Sequence, residues 1–419
     1  MSTRPVWAEV SLERLRGNLE VLRRSVAEHW LDGPPDNLPE LLAVVKADAY
    51  GHGVTLCGPA LAAAGARWLG VTSVEEGCVL RRALGVLPSH LSATRILVMS
   101  GVWHGEADAA IDHGLTAQVW ERFQLELLHQ AASRRGLPAG AVSVHLEIDT
   151  GMARQGVAPG RALAELLEHP VLRSGRIAVD GVMTHFSAAE RLLEPETEAQ
   201  ILRFSSALGQ LAGAGIVPRW VHAGNSATVF SRGQCGALQA LAEGCGARLM
   251  LRPGLALYGY APRTIPAQEP GGLEPVLSWK TRIVSLRELG VGQGAGYNSI
   301  FRATRPTRLA LTPVGYGDGL NRMLSGLEPS SLEPSSGSAM LVRGERARVA
   351  GRISMDQTML DVTDIRGVAI GDEVAILGEQ SGPAGAARLT AWEHADLCGT
   401  IPYEVLCRIA ARVPRVVVG

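Results

Sequence analysis

Leu41-Leu42-Ala43-Val44-Val45-Lys46-Ala47-Asp48-Ala49-Tyr50-Gly51-His52-Gly53 is the stretch whose reading decides the fold. Five apolar residues followed by a Gly-His-Gly break predict a short buried strand over Leu41–Val45. Lys46 stands where that strand ends. Among the 40 lysines and arginines of the chain, only Lys46 and Lys280 are lysines. Arginine stays charged and cannot act as a nucleophilic amine. A primary amine at a buried strand end can, because burial favours its neutral form and so suits Schiff-base chemistry. The competing reading of Lys46 is a side chain whose ammonium reaches solvent from the strand end. Lys280 lies in the alternating run Leu277-Ser278-Trp279-Lys280-Thr281-Arg282 and is expected to face solvent from a strand.

Working outward, strand-like runs alternate with helical periodicity. Val6–Leu12 reads as a strand and Leu12–Ala27 as a helix. After Leu41–Val45, further strands are predicted at Trp68–Thr72, Arg95–Met99, Thr116–Val119, Val142–Ile148, Ile177–Thr184, Trp220–His222 and Arg248–Leu251. Helical stretches such as Val74–Leu84, Trp120–Arg135 and Pro195–Ala214 lie between them. Eight strands alternating with helices predict an N-terminal (β/α)8 barrel over residues 1–265, with residues 1–12 free to pair with the C-terminal domain. Pro262–Pro275 reads as a linker. Beyond it, short alternating runs at Leu277–Leu286, Arg308–Pro313, Ala339–Val342, Ala347–Val349, Met359–Val362 and Glu373–Ile376 predict a mostly antiparallel β domain over residues 266–419. Only Thr390–Leu397 and Tyr403–Ala411 look helical there. Ser325–Ser338 contains a Leu-Glu-Pro-Ser-Ser repeat and reads as an exposed loop without a catalytic role.

Composition excludes several classes. With 419 residues, 46% hydrophobic and 19% charged, the chain is long enough for two ordered domains. A net charge of −1 with interspersed signs gives neither nucleic acid nor an anionic membrane a handle. No apolar run reaches the length of a bilayer, and no signal-like run precedes the first strand, so a cytoplasmic location is expected. The cysteines, Cys57, Cys78, Cys235, Cys245, Cys398 and Cys407, form neither a C-x-x-C pair nor zinc spacing. They are expected to be reduced, and no metal site is expected.

Active sites of barrels gather at the carboxyl ends of the strands. Those ends carry Lys46, Asp149-Thr150-Gly151-Met152-Ala153-Arg154, Thr184-His185-Phe186, His222-Ala223-Gly224-Asn225-Ser226 and Arg252-Pro253-Gly254-Leu255. Singly, each has a structural reading: a core histidine, a turn former, a helix cap, a surface ion pair. Together they suit a phosphorylated aldehyde cofactor, pyridoxal 5'-phosphate. The amine forms the imine, and Ser226 with backbone N–H groups near Gly254 can hold a phosphate. His185 offers a flat neighbour to a ring, and Arg252 a partner for its nitrogen.

Ala43–Gly53 resembles the cofactor-lysine signature of alanine racemases. The likeness continues through Asp149–Arg154, Thr184–Phe186, Asn225–Ser226, Arg252–Gly259, Pro313-Val314-Gly315-Tyr316-Gly317-Asp318-Gly319, Gly351-Arg352-Ile353-Ser354-Met355-Asp356-Gln357 and Ile401-Pro402-Tyr403-Glu404. The resemblance implies a pyridoxal phosphate-dependent racemase interconverting L- and D-alanine, making D-alanine for peptidoglycan. It implies two catalytic bases, Lys46 and Tyr297, the tyrosine coming from the second subunit of a head-to-tail homodimer. It implies phosphate contacts from Tyr50, Ser226, Gly254, Leu255 and Tyr403, with Asn225 beside them. His185 would support the ring and Arg252 its nitrogen. Arg154 and the Met355 backbone would meet the substrate carboxylate, with Tyr316 and Asp356 in support.

The sequence departs from the family pattern at two positions that matter. Glu147 stands where many members have a carbamylated lysine. Either its carboxylate supplies a similar anion to Arg154, or it faces elsewhere on its strand. Ser354 replaces the usual cysteine and bears on specificity; Asn298 after Tyr297 replaces the commoner glycine. A racemase of the same fold acting on serine or a larger amino acid is the near alternative. A non-catalytic pyridoxal phosphate-binding protein is the distant one, against which Tyr297 argues.

Overall fold

The computed structural model describes residues 4–29, 38–190, 195–263, 272–326 and 338–419. The Leu-Glu-Pro-Ser-Ser repeat and most of the Pro262–Pro275 segment lie outside the described residues. Two compact units are interleaved along the chain. One is Arg14–Ala49 with Val54–Glu274; the other is Met1–Glu13, Tyr50–Gly53 and Pro275–Gly419.

In the first unit, eight parallel strands close a barrel. After β1 (Val6–Ser11), which belongs to the other unit, they are β2 (Glu40–Val44), β3 (Trp68–Val71), β4 (Arg95–Val98), β5 (Leu115–Val119), β6 (Val142–Glu147), β7 (Ile177–Met183), β8 (Trp220–His222) and β9 (Arg248–Leu251). All five residues of β2 are buried, as a strand covered on both faces requires. The ring closes where Glu40 and Leu41 pair with Met250 and Leu251. The helix Leu12–His29 packs through Leu15, Leu19, Leu22 and Val26, which fall on one face at helical spacing. Its buried Asn18 donates to the carbonyls of Leu257 and Glu274, both at 2.9 Å.

The barrel interior holds a column of rings. Trp68 and Trp220 meet edge to face at 6.1 Å, and Trp68 lies 5.2 Å from His145. His145 in turn lies 4.8 Å from His222. Gly181 on β7 makes room for this column. A Cβ there would sit 2.7 Å from the His145 ring, so only glycine leaves the imidazole its place.

The second unit is built on one large sheet. Its strands are β1 with β10 (Leu277–Arg282), β11 (Ser285–Leu289), β14 (Thr307–Thr312), β15 (Ala339–Val342), β16 (Glu345–Val349), β17 (Thr358–Asp361), β18 (Glu373–Gly382), β19 (Gly385–Leu389) and β20 (Arg415–Val418). A separate small hairpin joins β12 (Gly294–Ala295) to β13 (Phe301–Arg302). The sheet order is β11-β14-β17-β16-β15-β18-β10-β1-β20, with β19 beside β18. β1 runs antiparallel to β10 and parallel to β20. Trp279, Val342, Val349 and Ile376 lie in its core.

Two expectations need correcting here. The run Leu277–Leu286 is not one strand but two, broken at Ile283 and Val284, where Ile283 turns into the core. Lys280 does not simply face solvent: its ammonium lies 2.9 Å from Glu9 and 3.1 Å from Glu373, on the strands flanking β10, and those carboxylates hold its pKa up against partial burial.

Candidate active site

Lys46 directly follows β2, and the chain then does something unusual. Ala47, Asp48, Ala49 and Tyr50 have φ of 53, 52, 55 and 53°. Four consecutive non-glycine residues are therefore left-handed, at a cost of roughly 1–2 kcal/mol each. Hydrogen bonds hold the turn in place. Ala47 N–H donates to Glu76 Oε1 at 2.8 Å, whose other oxygen accepts from Thr72 N–H at 2.8 Å. Asp48 Oδ1 accepts from Val54 N–H at 2.7 Å, and Ala49 N–H returns to Val45 O at 2.9 Å. Such over-determined strain clusters at functional sites.

Arg252, after β9, is buried, with 5% of its surface exposed. Its Nη2 donates to Thr184 O at 2.9 Å and to His185 Nδ1 at 3.2 Å, and its Nη1 to His222 Nδ1 at 3.2 Å. Burial pushes its pKa down to about 10; the Glu147 carboxylate opposes this and Arg154 adds to it. The guanidinium is thus still protonated at neutral pH. The His185 imidazole is pushed down to about 3, first by burial and then by Arg252, Arg154 and Lys46. It is neutral, and four of the residues singled out in the sequence share one electrostatic neighbourhood.

Because a guanidinium only donates, the histidines around it have a determined proton order. His185 and His222 each accept at Nδ1, so their protons are on Nε2. His222 Nε2 lies 2.8 Å from His145 Nδ1 and donates to it. The His145 proton is then on Nε2, which is buried and without an acceptor among the described residues. Sequence reasoning passed over His145 and gave His222 no role. Their signal was their placement on short apolar strands, at positions that turn into the barrel.

Ser226 and Gly254 come together as a cradle. Ser226 Oγ accepts from Gly254 N–H at 3.1 Å and Ala256 N–H at 3.2 Å. Both lone pairs are occupied, so the hydroxyl proton is left to donate to an outside acceptor. Asn225, not Ser226, caps the short helix Ser226–Val229, its side chain accepting from Ala227 N–H at 2.9 Å. Gly254 takes the N-cap position for the turn Leu255–Tyr258. Two short helix starts and a donating hydroxyl fit a phosphate group, while the amine of Lys46 and the buried donor of Arg252 fit the aldehyde and ring nitrogen of pyridoxal phosphate.

Glu147 ends β6 with 2% exposure. Its direct partner is Gln155, whose Nε2 donates to Oε2 at 2.5 Å, and no ion pair joins it to Arg154 among the described residues. Burial raises its carboxyl pKa; the Gln155 and Gln118 amides and the charges of Arg252 and Arg154 pull the other way.

The remaining expected residues lie in the sheet unit. Tyr50 and Tyr403 rings pack at 5.7 Å, and burial, with Tyr403 and Cys407, raises the Tyr50 hydroxyl pKa. Gly51 lies so near Leu406 that a Cβ would sit 2.4 Å from its carbonyl. Tyr297 starts a turn between β12 and β13 and is 65% exposed. Asn298 has φ 60°, a conformation asparagine tolerates almost as glycine does, which accounts for the departure at that position. Tyr316 N–H donates to Ser354 O at 3.0 Å and Gly317 N–H to Met355 O at 2.8 Å, aligning these two loops. Asp356 accepts from Arg412 at 2.7 Å. Among the described residues no group of three or more His, Cys, Asp or Glu could hold a metal ion, and no helix is long and apolar enough to cross a membrane. None of the six cysteines forms a disulfide.

The fold defines a class of two-unit enzymes, a closed parallel barrel joined to an antiparallel sheet unit. The chain belongs to the alanine racemase family: the N-terminal domain of that family matches residues 10–262 and the C-terminal domain residues 276–417. An alanine racemase of Sorangium cellulosum is 39% identical over 418 residues, covering 98% of each chain. The alanine racemase of Streptomyces coelicolor A3(2) superposes with a TM-score of 0.82 at 32% identity, covering 99% of this chain and 98% of that one. The alanine racemase of Bartonella henselae, whose structure has covalently bound pyridoxal phosphate, shares the fold at a TM-score of 0.78 and 24% identity, covering 99% of each chain.

Proposed function

We propose that the protein interconverts L-alanine and D-alanine with pyridoxal 5'-phosphate at the carboxyl end of the barrel. The observation that carries this reading is the arrangement around Arg252, which shares its neighbourhood with His185, Arg154 and, through His185, Lys46. When bound, the cofactor supplies an electron-withdrawing ring that makes the substrate Cα–H acidic. Lys46 would hold the cofactor and serve one face of Cα. Tyr297 would serve the other, each taking a proton from or returning one to that atom. The exposure of Tyr297 on its own unit suits a residue that completes the site of a second subunit in a head-to-tail homodimer. Arg252 would donate to the ring nitrogen and, with a pKa near 10, keep its own proton. His185 would support the ring. Ser226, Asn225, Gly254, Leu255, Tyr50 and Tyr403 would hold the phosphate. Arg154 and the Met355 N–H would orient the substrate carboxylate, with Glu147, Tyr316 and Asp356 behind them. D-alanine for peptidoglycan, made in the cytoplasm, is the product use this reading implies.

The test is D-alanine formation from pure L-alanine with added cofactor, for the wild type and for Tyr297→Phe, with L-serine and L-lysine run alongside. Turnover of alanine that falls by about 10²–10⁴ in the variant is expected. Turnover of another amino acid alone would move the substrate and keep the mechanism. Cofactor binding with no turnover of any of the three would overturn the catalytic reading.

A further inference from the structure

Among the described residues His145 makes no hydrogen bond to the groups that would hold substrate or cofactor. It is nevertheless fully buried, at 0% exposure, as is His222. A buried imidazole pair with one unaccepted N–H is destabilising, since an unsatisfied buried donor loses its full hydration. Valine or leucine would fill the column without that loss. What the pair provides is direction. Arg252 has no lone pair, so every acceptor it meets must have its proton elsewhere. Of the three acceptors that fix the guanidinium, one is a carbonyl and two are imidazole lone pairs. A carbonyl can only accept. An imidazole can rotate or exchange tautomers, and either change would turn an N–H or C–H toward the cation.

We propose that His145 is a positioning residue: its Nδ1 lone pair accepts the hydrogen bond donated by His222 Nε2–H and so holds the Nδ1 lone pair of His222 against Arg252. The Nε2–H of His145, without an acceptor among the described residues, is the end of the chain, where the polarity imposed by Arg252 runs out. Gly181 belongs to the same device. The ring atoms a Cβ at 181 would meet are Cγ, Nδ1 and Cδ2 at 2.7–2.8 Å, and Nδ1 is the atom that meets His222.

The test combines a spectroscopic and a kinetic readout. Two-bond 1H–15N NMR on histidine-labelled protein reports the tautomer of each neutral imidazole without any turnover, so its failure is distinct from a failure of the racemase reading. Both His222 and His145 are expected as Nε2–H tautomers. A Nδ1–H tautomer at either would overturn the proposal. His145→Phe removes the acceptor, and kcat for alanine is expected to fall about tenfold with KM little changed, the loss expected for a hydrogen bond of ordinary strength. His145→Asn returns a carbonyl acceptor and is expected to recover most of that loss. Gly181→Ala displaces the ring without changing its chemistry and is expected to shift the His222 resonances and lower kcat. Should His145→Phe fail to fold, Gly181→Ala carries the comparison. Unchanged His222 resonances and kcat in Gly181→Ala would refute the role.

Discussion

The left-handed turn after Lys46 makes a prediction whose sign is opposite to ordinary experience. In a helix, Ala→Gly destabilises by roughly 0.5–1 kcal/mol because glycine loses more backbone entropy on folding. Ala47 is exposed, so glycine there gives up no packing, and its N–H bond to Glu76 is a backbone bond that survives. At φ 53° the alanine Cβ costs roughly 1–2 kcal/mol, which glycine removes. Subtracting the entropy term leaves a net stabilisation of about 0.5–1 kcal/mol for Ala47→Gly. For a domain the size of the barrel that is a rise in Tm of about 1–4 °C. Ala240, exposed in the middle of the helix Arg232–Gly244, is the control, and glycine there should lower Tm by a similar amount. Differential scanning calorimetry on the two variants and the wild type gives the comparison. If Ala47→Gly lowers Tm as Ala240→Gly does, the turn is not strained and the reasoning fails.

Three further outcomes are expected at the site. Ser226→Ala removes the one hydroxyl of the cradle and should weaken retention of pyridoxal phosphate about tenfold, read by dialysis and the bound-cofactor absorbance. Glu147→Gln removes the anion that raises the Arg252 pKa and should lower kcat about tenfold; an unaltered rate would show that the carboxylate faces the site without serving it. Acid should destabilise the fold early: burial pushes His145 and His185 down to about 3 and His394 to about 4, so the unfolded chain binds protons that the folded one refuses. Stability therefore falls as pH drops below about 6.5, by at most about 1.4 kcal/mol per pH unit for each such histidine, and Tm measured from pH 8 to pH 5 should fall accordingly.

The barrel was legible because its strands are short apolar runs separated by amphipathic helices; β3, β8 and β9 begin at the residues read from the sequence. The sheet unit was less so. β18 runs on to Gly382 to pair with β19, but its second half, Glu379-Gln380-Ser381, has no apolar signal because it is half out of the core. Arg415–Val418 passed unnoticed although Val-Val-Val is strand-like, because its partner β1 lies about 400 residues away in sequence and pairing is invisible in a local window. In the site, residues identified by chemistry, such as Lys46 and Arg252, could be picked from strand ends. The left-handed turn could not, since Ala-Asp-Ala-Tyr carries no glycine to announce it. Nor could the direct partner of Glu147, because Gln155 reaches it across a loop rather than along the strand.

The pairing of β1 has a consequence for the order in which the molecule is made. β1 leaves the ribosome ahead of the barrel, yet its two neighbours in the sheet, β10 and β20, are separated from it by the whole barrel. At about 5–20 residues per second, β1 waits on the order of tens of seconds for β20. All of Arg14–Ala49 and Val54–Glu274 is synthesised in that interval. Until β10 emerges, β1, with Val6, Ala8 and Val10 bound for the core, is an unpaired apolar strand, the kind of segment that holdase chaperones cover and that pairs with the wrong edge when they do not.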